Sequence, residues 1–179
     1  MMKDKFVIYS VFVCTTLCGL WDAAQGRGLH LGSCKVNIHT QELRHHFQHI
    51  RQSMISGDDQ KGIRLLRKDM MHSLQATESC CFLRKLLHFY MDKVFINYTS
   101  SHSLHRRTTS VLANSFLSIS KDLRACHSNA HCECGEDATL KITTIQTTYD
   151  KLDQSSGAVK AIGELDSLLE WIESFQQHP

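Results

Sequence analysis

Proline is almost missing from this chain: one stands in 179 residues, and it is the last, Pro179. No helix in the interior is therefore broken by a pyrrolidine ring. Glycine is also sparse, at nine residues, too few turn signals for a β-sandwich or barrel of many short strands. Charge of one sign is lacking as well. Twenty Lys and Arg against 18 Asp and Glu give a formal net charge of +2, which argues against nucleic acid as a partner. No apolar run reaches the ~20 residues needed to cross a bilayer, so membrane insertion is not expected. The longest such stretch, Phe6 to Leu20, follows Lys3 and Lys5 and leads to Ala24-Gln25-Gly26. That order of basic, apolar and small residues predicts a secretory leader over 1–26, with the mature chain starting near Arg27 and found outside the cell. Residues 27–179 then form a single domain that buries roughly two thirds of its unfolded surface.

Cysteine, by contrast, is plentiful. Cys14 and Cys18 leave with the leader, and Cys34, Cys80, Cys81, Cys126, Cys132 and Cys134 remain. Six is even, and an exported protein meets an oxidising compartment, so disulfides are expected. Cys80 and Cys81 are the informative pair. Adjacent residues on a helix point about 100° apart, so each must find a distant partner. Cys132 and Cys134 are two apart, and in an extended segment their sulfurs face one side; they can serve Cys80 and Cys81. Which pairs with which stays open from spacing alone.

Hydrophobic periodicity predicts an all-α fold of six helical segments. Thr40 is placed as the cap of the first, with Leu43, Phe47, Ile50 and Met54 on one stripe, ended by Ser56-Gly57-Asp58-Asp59. A shorter helix is expected from Ile63 to Leu74, on Ile63, Leu66, Met70 and Leu74. Ser79 is placed as the cap of the third, whose stripe of Leu83, Leu86 or Leu87, Tyr90 and Val94 is widened by Phe82, Phe89 and Phe95. So broad an apolar face marks a central helix. A polar loop from Asn97 to His105 precedes a fourth helix carrying Leu112, Phe116, Ile119 and Leu123. Ala138, Ile142, Ile145, Tyr149 and Leu152 mark the fifth. The last follows Ser155-Ser156-Gly157 with Ala158, Ile162, Leu165, Leu169 and Ile172; Trp171 is expected in its core-facing part.

Candidate chemistry is thin. His127, His131, Cys132 and Cys134 have the residue types of a zinc site, and a metal-dependent hydrolase would need free thiols there. Oxidation to disulfides excludes thiolate ligands, so no metal and no cofactor is expected. No Gly-rich phosphate loop, Gly-x-Ser-x-Gly elbow or His-Glu-x-x-His motif occurs, and no catalytic residue is assigned: the protein is not expected to be an enzyme. Asn97-Tyr98-Thr99 is a glycosylation sequon at a helix end. Basic residues cluster at Lys61, Arg64, Arg67 and Lys68 and again at His105, Arg106 and Arg107. Solvated helix faces account for both, with heparan sulfate as a candidate minor partner.

Several motifs in order carry a resemblance. Gln75, Cys80-Cys81, Leu86-Leu87, Phe89-Tyr90-Met91 and Lys93-Val94-Phe95 resemble the signature of the interleukin-10 family of helical cytokines, and 160–166, Lys-Ala-Ile-Gly-Glu-Leu-Asp, is similar to its last-helix motif. Leu31-Gly32-Ser33-Cys34, the stretch 112–117 and Cys132-Glu133-Cys134-Gly135-Glu136 are most similar to the branch of interleukins 19, 20 and 24. The resemblance implies a six-helix bundle stapled by Cys34 with Cys126, Cys80 with Cys132 and Cys81 with Cys134. It also implies a monomer that bridges two class II cytokine receptor chains and so triggers Janus kinase/STAT signalling in epithelial and immune settings. Those chains would be the interleukin-20 receptor alpha and beta chains, with the interleukin-22 receptor alpha chain in one alternative pair. In relatives one receptor chain meets residues matched here by Arg64, Lys160 and Glu164. Many relatives carry an acidic residue two positions before that arginine, where this chain has Gly62. Read without the resemblance, Lys160 and Glu164 are an exposed i, i+4 pair on their own helix. The rival to a signalling role is a disulfide-rich extracellular helical carrier with a ligand cavity.

Overall fold

A computed structural model describes residues 27–129 and 132–176. The expected leader and His131 fall outside those residues.

The described chain begins with a hairpin that periodicity did not reveal. Strands β1 (Arg27–Leu31) and β2 (Cys34–Ile38) pair antiparallel, Leu29 opposite Val36 and Leu31 opposite Cys34. Gly32 turns the chain at φ 62°, a left-handed conformation that glycine adopts without a Cβ clash. Leu29, Leu31, Val36 and Ile38 alternate inward and are buried, so the hairpin covers one end of the bundle instead of standing alone, where two strands would be marginal.

Helix α1 (Thr40–Gly57) buries Leu43, Phe47, Ile50 and Met54, the expected stripe. Thr40 is its first residue, not its cap. The threonine hydroxyl donates to the Gln176 carbonyl oxygen of the side chain at 3.0 Å, and the Gln176 amide donates to the Ile38 carbonyl at 3.1 Å, clasping the hairpin to the chain's far end. The helix expected over Ile63 to Leu74 shrinks to α2 (Lys68–His72). Residues 63–67 instead run irregularly, with Leu65 and Leu66 both buried. Two adjacent buried apolar residues suit an extended strap better than a helix stripe, and their backbone N–H groups find a partner outside any helix, described below.

A 3-10 turn (Ala76–Glu78) leads into α3, residues 79–97, which is α-helical over Ser79–Phe89, π-helical over Tyr90–Val94 and α-helical again over Phe95–Asn97. Ser79 lies inside it, its hydroxyl donating back to Ala76 at 2.6 Å. Leu83, Leu86, Leu87, Phe82 and Phe89 are all buried, as a central helix requires. Tyr90 sits edge-on to Phe116 at 5.5 Å and donates its hydroxyl to the Ala161 carbonyl at 2.7 Å. Helix α4 (Ser103–Ser128) starts two residues before the expected loop end and packs on α1 and α3. Cys132 and Cys134 follow in irregular backbone.

Cys34 is bonded to Cys126, Cys80 to Cys132 and Cys81 to Cys134, with Cα separations of 5.7, 5.2 and 5.2 Å. One bridge ties the hairpin to the end of α4. The other two tie the α4–α5 link to the start of α3. Just beyond, Glu78 accepts the Ala138 N–H at 2.7 Å at the start of α5 (Glu136–Tyr149). A Cβ at Gly135 would lie 2.3 Å from that carboxylate, so glycine leaves the room for a cap supplied from 60 residues away.

Helix α6 (Gln154–Gly163) begins earlier than expected because Asp153 caps it, accepting from Ser155 and Ser156. Ser155, Ser156 and Gly157 are therefore helical. Gly157 is where the Tyr149 ring lies against the backbone, 3.1 Å from where a Cβ would stand. Glu164 interrupts the rod, and α7 (Leu165–Ser174) continues it. Trp171 is in the core, 1% exposed, edge-on to Phe82 at 5.4 Å and donating to the Met71 carbonyl at 3.0 Å. The bundle is thus helical as expected, with the hairpin added. Among the described residues no helix is long and apolar enough to cross a membrane.

Candidate functional site

An open cleft of about 1050 Å³ lies between α1, the strap and the α6–α7 rod. Helix α1 supplies one wall with Arg44, Gln48, Arg51 and Ile55; the strap and its approaches supply Asp58, Lys61, Arg64 and Lys68; the α6–α7 rod supplies Lys160, Glu164, Asp166 and Glu170. Six basic and four acidic side chains line it. Most are paired with one another.

Across the α1–α7 wall, Arg44 grips Glu173 bidentately at 3.1 and 2.8 Å and reaches Asp166 at 3.3 Å. The hydrogen bond to Glu173 raises the already high Arg44 pKa. Arg51 also pairs with Asp166. At the opposite rim Lys68 meets Glu170 at 2.5 Å, and that hydrogen bond holds the Glu170 carboxyl below its usual range.

The floor is different because it is buried. Lys160 is 3% exposed and Glu164 6%, which corrects the expectation of an exposed pair. They are an i, i+4 pair, 3.3 Å apart, but both also look outward from their helix to the strap. Lys160 donates to Asp58 at 2.9 Å, just after α1 ends. One Glu164 oxygen accepts the N–H groups of Leu65 and Leu66 at 2.9 and 2.7 Å. Two backbone donors on one oxygen and a nearby ammonium offset part of the cost of burying this charge. The other Glu164 oxygen, buried, lacks a hydrogen bond of good geometry. Nearby, burial and then the charge of Glu164 push the Tyr90 phenol well above its ordinary pKa.

Arg64, the third residue expected at a binding face, follows from this anchoring. Holding Leu65 and Leu66 inward leaves Arg64, just before them, on the outside. Lys61 and Arg64 are exposed, line the cleft and make no hydrogen bond or ion pair with the described residues. The structure thus brings Arg64, Lys160 and Glu164 to one cleft, with different tasks: two buried charges shape the strap, and the strap displays the third. Sequence reasoning missed Asp58, Arg44 and Asp166. Asp58 was noticed only as part of a helix-ending turn and Asp166 only as part of the last-helix motif, and nothing in the local pattern links any of the three to the others.

The remaining expected residues lie elsewhere. Asn97 is half-buried at the end of α3, near Tyr149, whose hydroxyl donates to the Lys93 carbonyl at 3.3 Å. The Cys132 and Cys134 sulfurs are both in disulfides and cannot act as thiolates, and His127 Nδ1 faces the Cys132 carbonyl at 3.0 Å. Thus Cys132, Cys134 and His127 are engaged otherwise, and His131 lies outside the described residues. His105 faces Tyr98, and Arg106 donates to the Ser100 and Ser101 carbonyls, closing the α3–α4 loop.

Comparison with known proteins agrees with the geometry. The family model described as Interleukin 10 matches residues 11–177. Interleukin-20 of Mus musculus is 41% identical over 156 residues, covering 86% of this chain and 89% of the relative. Interleukin-19 of Mus musculus is 32% identical over 143 residues, covering 80% and 81%. Among solved structures, a PROSS-edited human interleukin 24 superposes with a TM-score of 0.73 at 33% identity, covering 82% of this chain and 97% of that one. Human interleukin-19 superposes with a TM-score of 0.69 at 31% identity, covering 75% and 87%. These are cytokines, and cytokines are not enzymes. On both the full-length match and the shared bundle, this chain belongs to the interleukin-10 family of helical cytokines.

Proposed function

We propose that this chain is exported after cleavage near Arg27 and acts as a monomeric cytokine that bridges two class II receptor chains, bringing their associated Janus kinases together to phosphorylate STAT proteins. The interleukin-20 receptor alpha and beta chains are the proposed pair, with the interleukin-22 receptor alpha chain replacing the first in an alternative complex. Epithelial and immune cells are the proposed targets.

The observation that carries this reading is the strap. Lys61 and Arg64 are the basic groups of the cleft without partners among the described residues, on a segment fixed by Glu164 and Lys160. A preformed surface loses less freedom on binding, and uncompensated basic groups at its rim steer an acidic partner surface. Arg64 makes the direct contact, and Lys160 and Glu164 act chiefly by holding its backbone. Two disulfides at the α4–α5 link oppose the exchange of helices between two copies, in keeping with a monomer.

A helical carrier is supported less well. The buried side chains form one contiguous cluster running from Leu29 to Ile172, whereas a carrier needs a ligand chamber. Heparan sulfate is a proposed secondary ligand of Lys61, Arg64, Arg67 and Lys68, in a salt-dependent manner; Arg67 is already paired with Asp69. A glycan on Asn97 would leave the cleft untouched.

Binding to each isolated receptor ectodomain tests the proposal. One class II chain should bind the wild-type protein and bind Arg64→Glu markedly less. Failure of all three ectodomains to bind, singly or in pairs, would remove it.

A further inference from the structure

The chain has twelve histidines, and the cleft uses none of them. Two stand out on the exposed face of α1. His45 and His49 are four residues apart, both exposed, with ring centroids 5.0 Å from one another. Their ring nitrogens make no hydrogen bond or ion pair with the described residues. Other histidines are committed: His88 pairs with Asp92, His46 approaches Glu42 at 3.8 Å, and His127 faces a carbonyl. The pair His102 and His105 is nearly as close, at 5.2 Å, but His105 is half-buried and turned to Tyr98 and Ser100.

We propose that His45 and His49 form a two-imidazole chelating site for a late first-row divalent cation, copper(II) ahead of nickel and zinc. The spacing fits. With metal–nitrogen bonds of about 2.1 Å and a ring centre about 1.1 Å further on, two imidazoles on one ion have centroids about 5 Å apart when their angle at the metal is about 100°. That angle lies between neighbouring positions of a tetragonal copper site and those of a tetrahedral zinc site. Imidazole suits these ions, and affinity for divalent ions rises to copper along the first row. Neutral imidazoles are required, and no protein group competes for the nitrogens.

Among the described residues no set of three or more His, Cys, Asp or Glu converges on one point. Water therefore completes the coordination, and the site is peripheral and exchangeable instead of structural. Bridging positions i and i+4 would clamp one turn of α1, the helix whose adjoining face carries Arg44, Gln48 and Arg51 in the cleft. The inference rests on α1 alone and stands apart from any receptor.

The test uses the tag-free chain with His30→Gln in every sample, so that copper held by a new N-terminus near Arg27 does not contribute. Copper(II), nickel(II) and zinc(II) are titrated calorimetrically in a buffer that does not bind them, and the copper sample at one equivalent is read by electron paramagnetic resonance. One copper step is expected, tighter than nickel or zinc, with two nitrogen ligands and a raised melting temperature. His45→Gln and His49→Gln should each lose that step, while His88→Gln keeps it. Absence of the step, its survival in both α1 variants, or its equal loss in His88→Gln, which marks adventitious binding to surface histidines, would overturn the site.

Discussion

The Glu164 carboxylate accepts the backbone N–H of Leu66 at 2.7 Å, joining residues 98 positions apart. A side chain that from sequence belongs to the outer face of the last helix is thereby a fastening of the strap. Glu164→Gln should keep part of this, because an amide oxygen still accepts, but it leaves Lys160 with Asp58 alone. A hydrogen bond to a charged group contributes about 1.5–3 kcal/mol. Denaturant unfolding should show Glu164→Ala less stable than wild type by about that amount, with Glu164→Gln between. Equal stability of all three would mean that the strap does not depend on this carboxylate.

Lys160 offers the complementary experiment. Removing its charge in Lys160→Met strands Asp58 and Glu164 together in a poorly solvated site, and breaking a buried pair by deleting one partner costs about 3–5 kcal/mol. Asp58 is partly exposed, with side-chain relative accessibility of 18%, so the lower end is expected. A double variant, Lys160→Met with Glu164→Gln, should recover part of the loss in the same unfolding assay.

Arg64→Glu separates contact from stability. The side chain is exposed and has no partner among the described residues, and surface substitutions of this kind usually shift stability within about 0.5 kcal/mol. Its melting temperature should match wild type, whereas surface plasmon resonance on the receptor ectodomains should show weaker binding of one chain and a smaller salt dependence. Normal affinity with normal folding would place the contact elsewhere.

Tyr90 predicts a pH dependence. Burial raises the folded-state pKa of its phenol above the unfolded value of about 10. The folded state therefore holds this proton more tightly, so the contribution is complete below about pH 10 and declines as pH rises from there toward the folded pKa. Tyr90→Phe should lower stability at neutral pH by about 1–3 kcal/mol, because the buried Ala161 carbonyl loses its donor. It should also flatten the alkaline decline, as seen in unfolding curves between pH 8 and about 11.

Cys34→Ser with Cys126→Ser opens a loop of sequence separation 92. A loss of about 2–5 kcal/mol is expected, together with faster amide exchange in β1 and β2, whose hold on α4 depends on that bridge. On the mature, unfolded and unreduced protein, thiol titration should find no reactive cysteine.

The helices were legible where an apolar stripe of regular period faces one core, as in Leu43, Phe47, Ile50 and Met54 or Leu112, Phe116, Ile119 and Leu123. The hairpin was overlooked although its signal is present: Leu29, Leu31, Cys34, Val36 and Ile38 around Gly32-Ser33 alternate as strands flanking a two-residue turn do. Helix ends were misplaced where other partners take the capping group. Thr40 and Ser79 look like caps, but the distant Gln176 takes the first hydroxyl and the Ala76 carbonyl, one turn back, takes the second. Glycine at 157 looks like a turn, but it makes room for Tyr149.

By itself the sequence determined the class: without internal proline, with 3.6-residue periodicity and six mature cysteines, it could fold as little else than a crosslinked helical bundle, and its ordered motifs carried the family. Tertiary structure alone decided the work of Lys160 and Glu164. Their spacing is equally good for an exposed ion pair and for a buried anchor. What separates the two is whether another segment of chain lies over them, and the Leu65 and Leu66 N–H groups that do so arrive from a stretch with no periodicity to announce them.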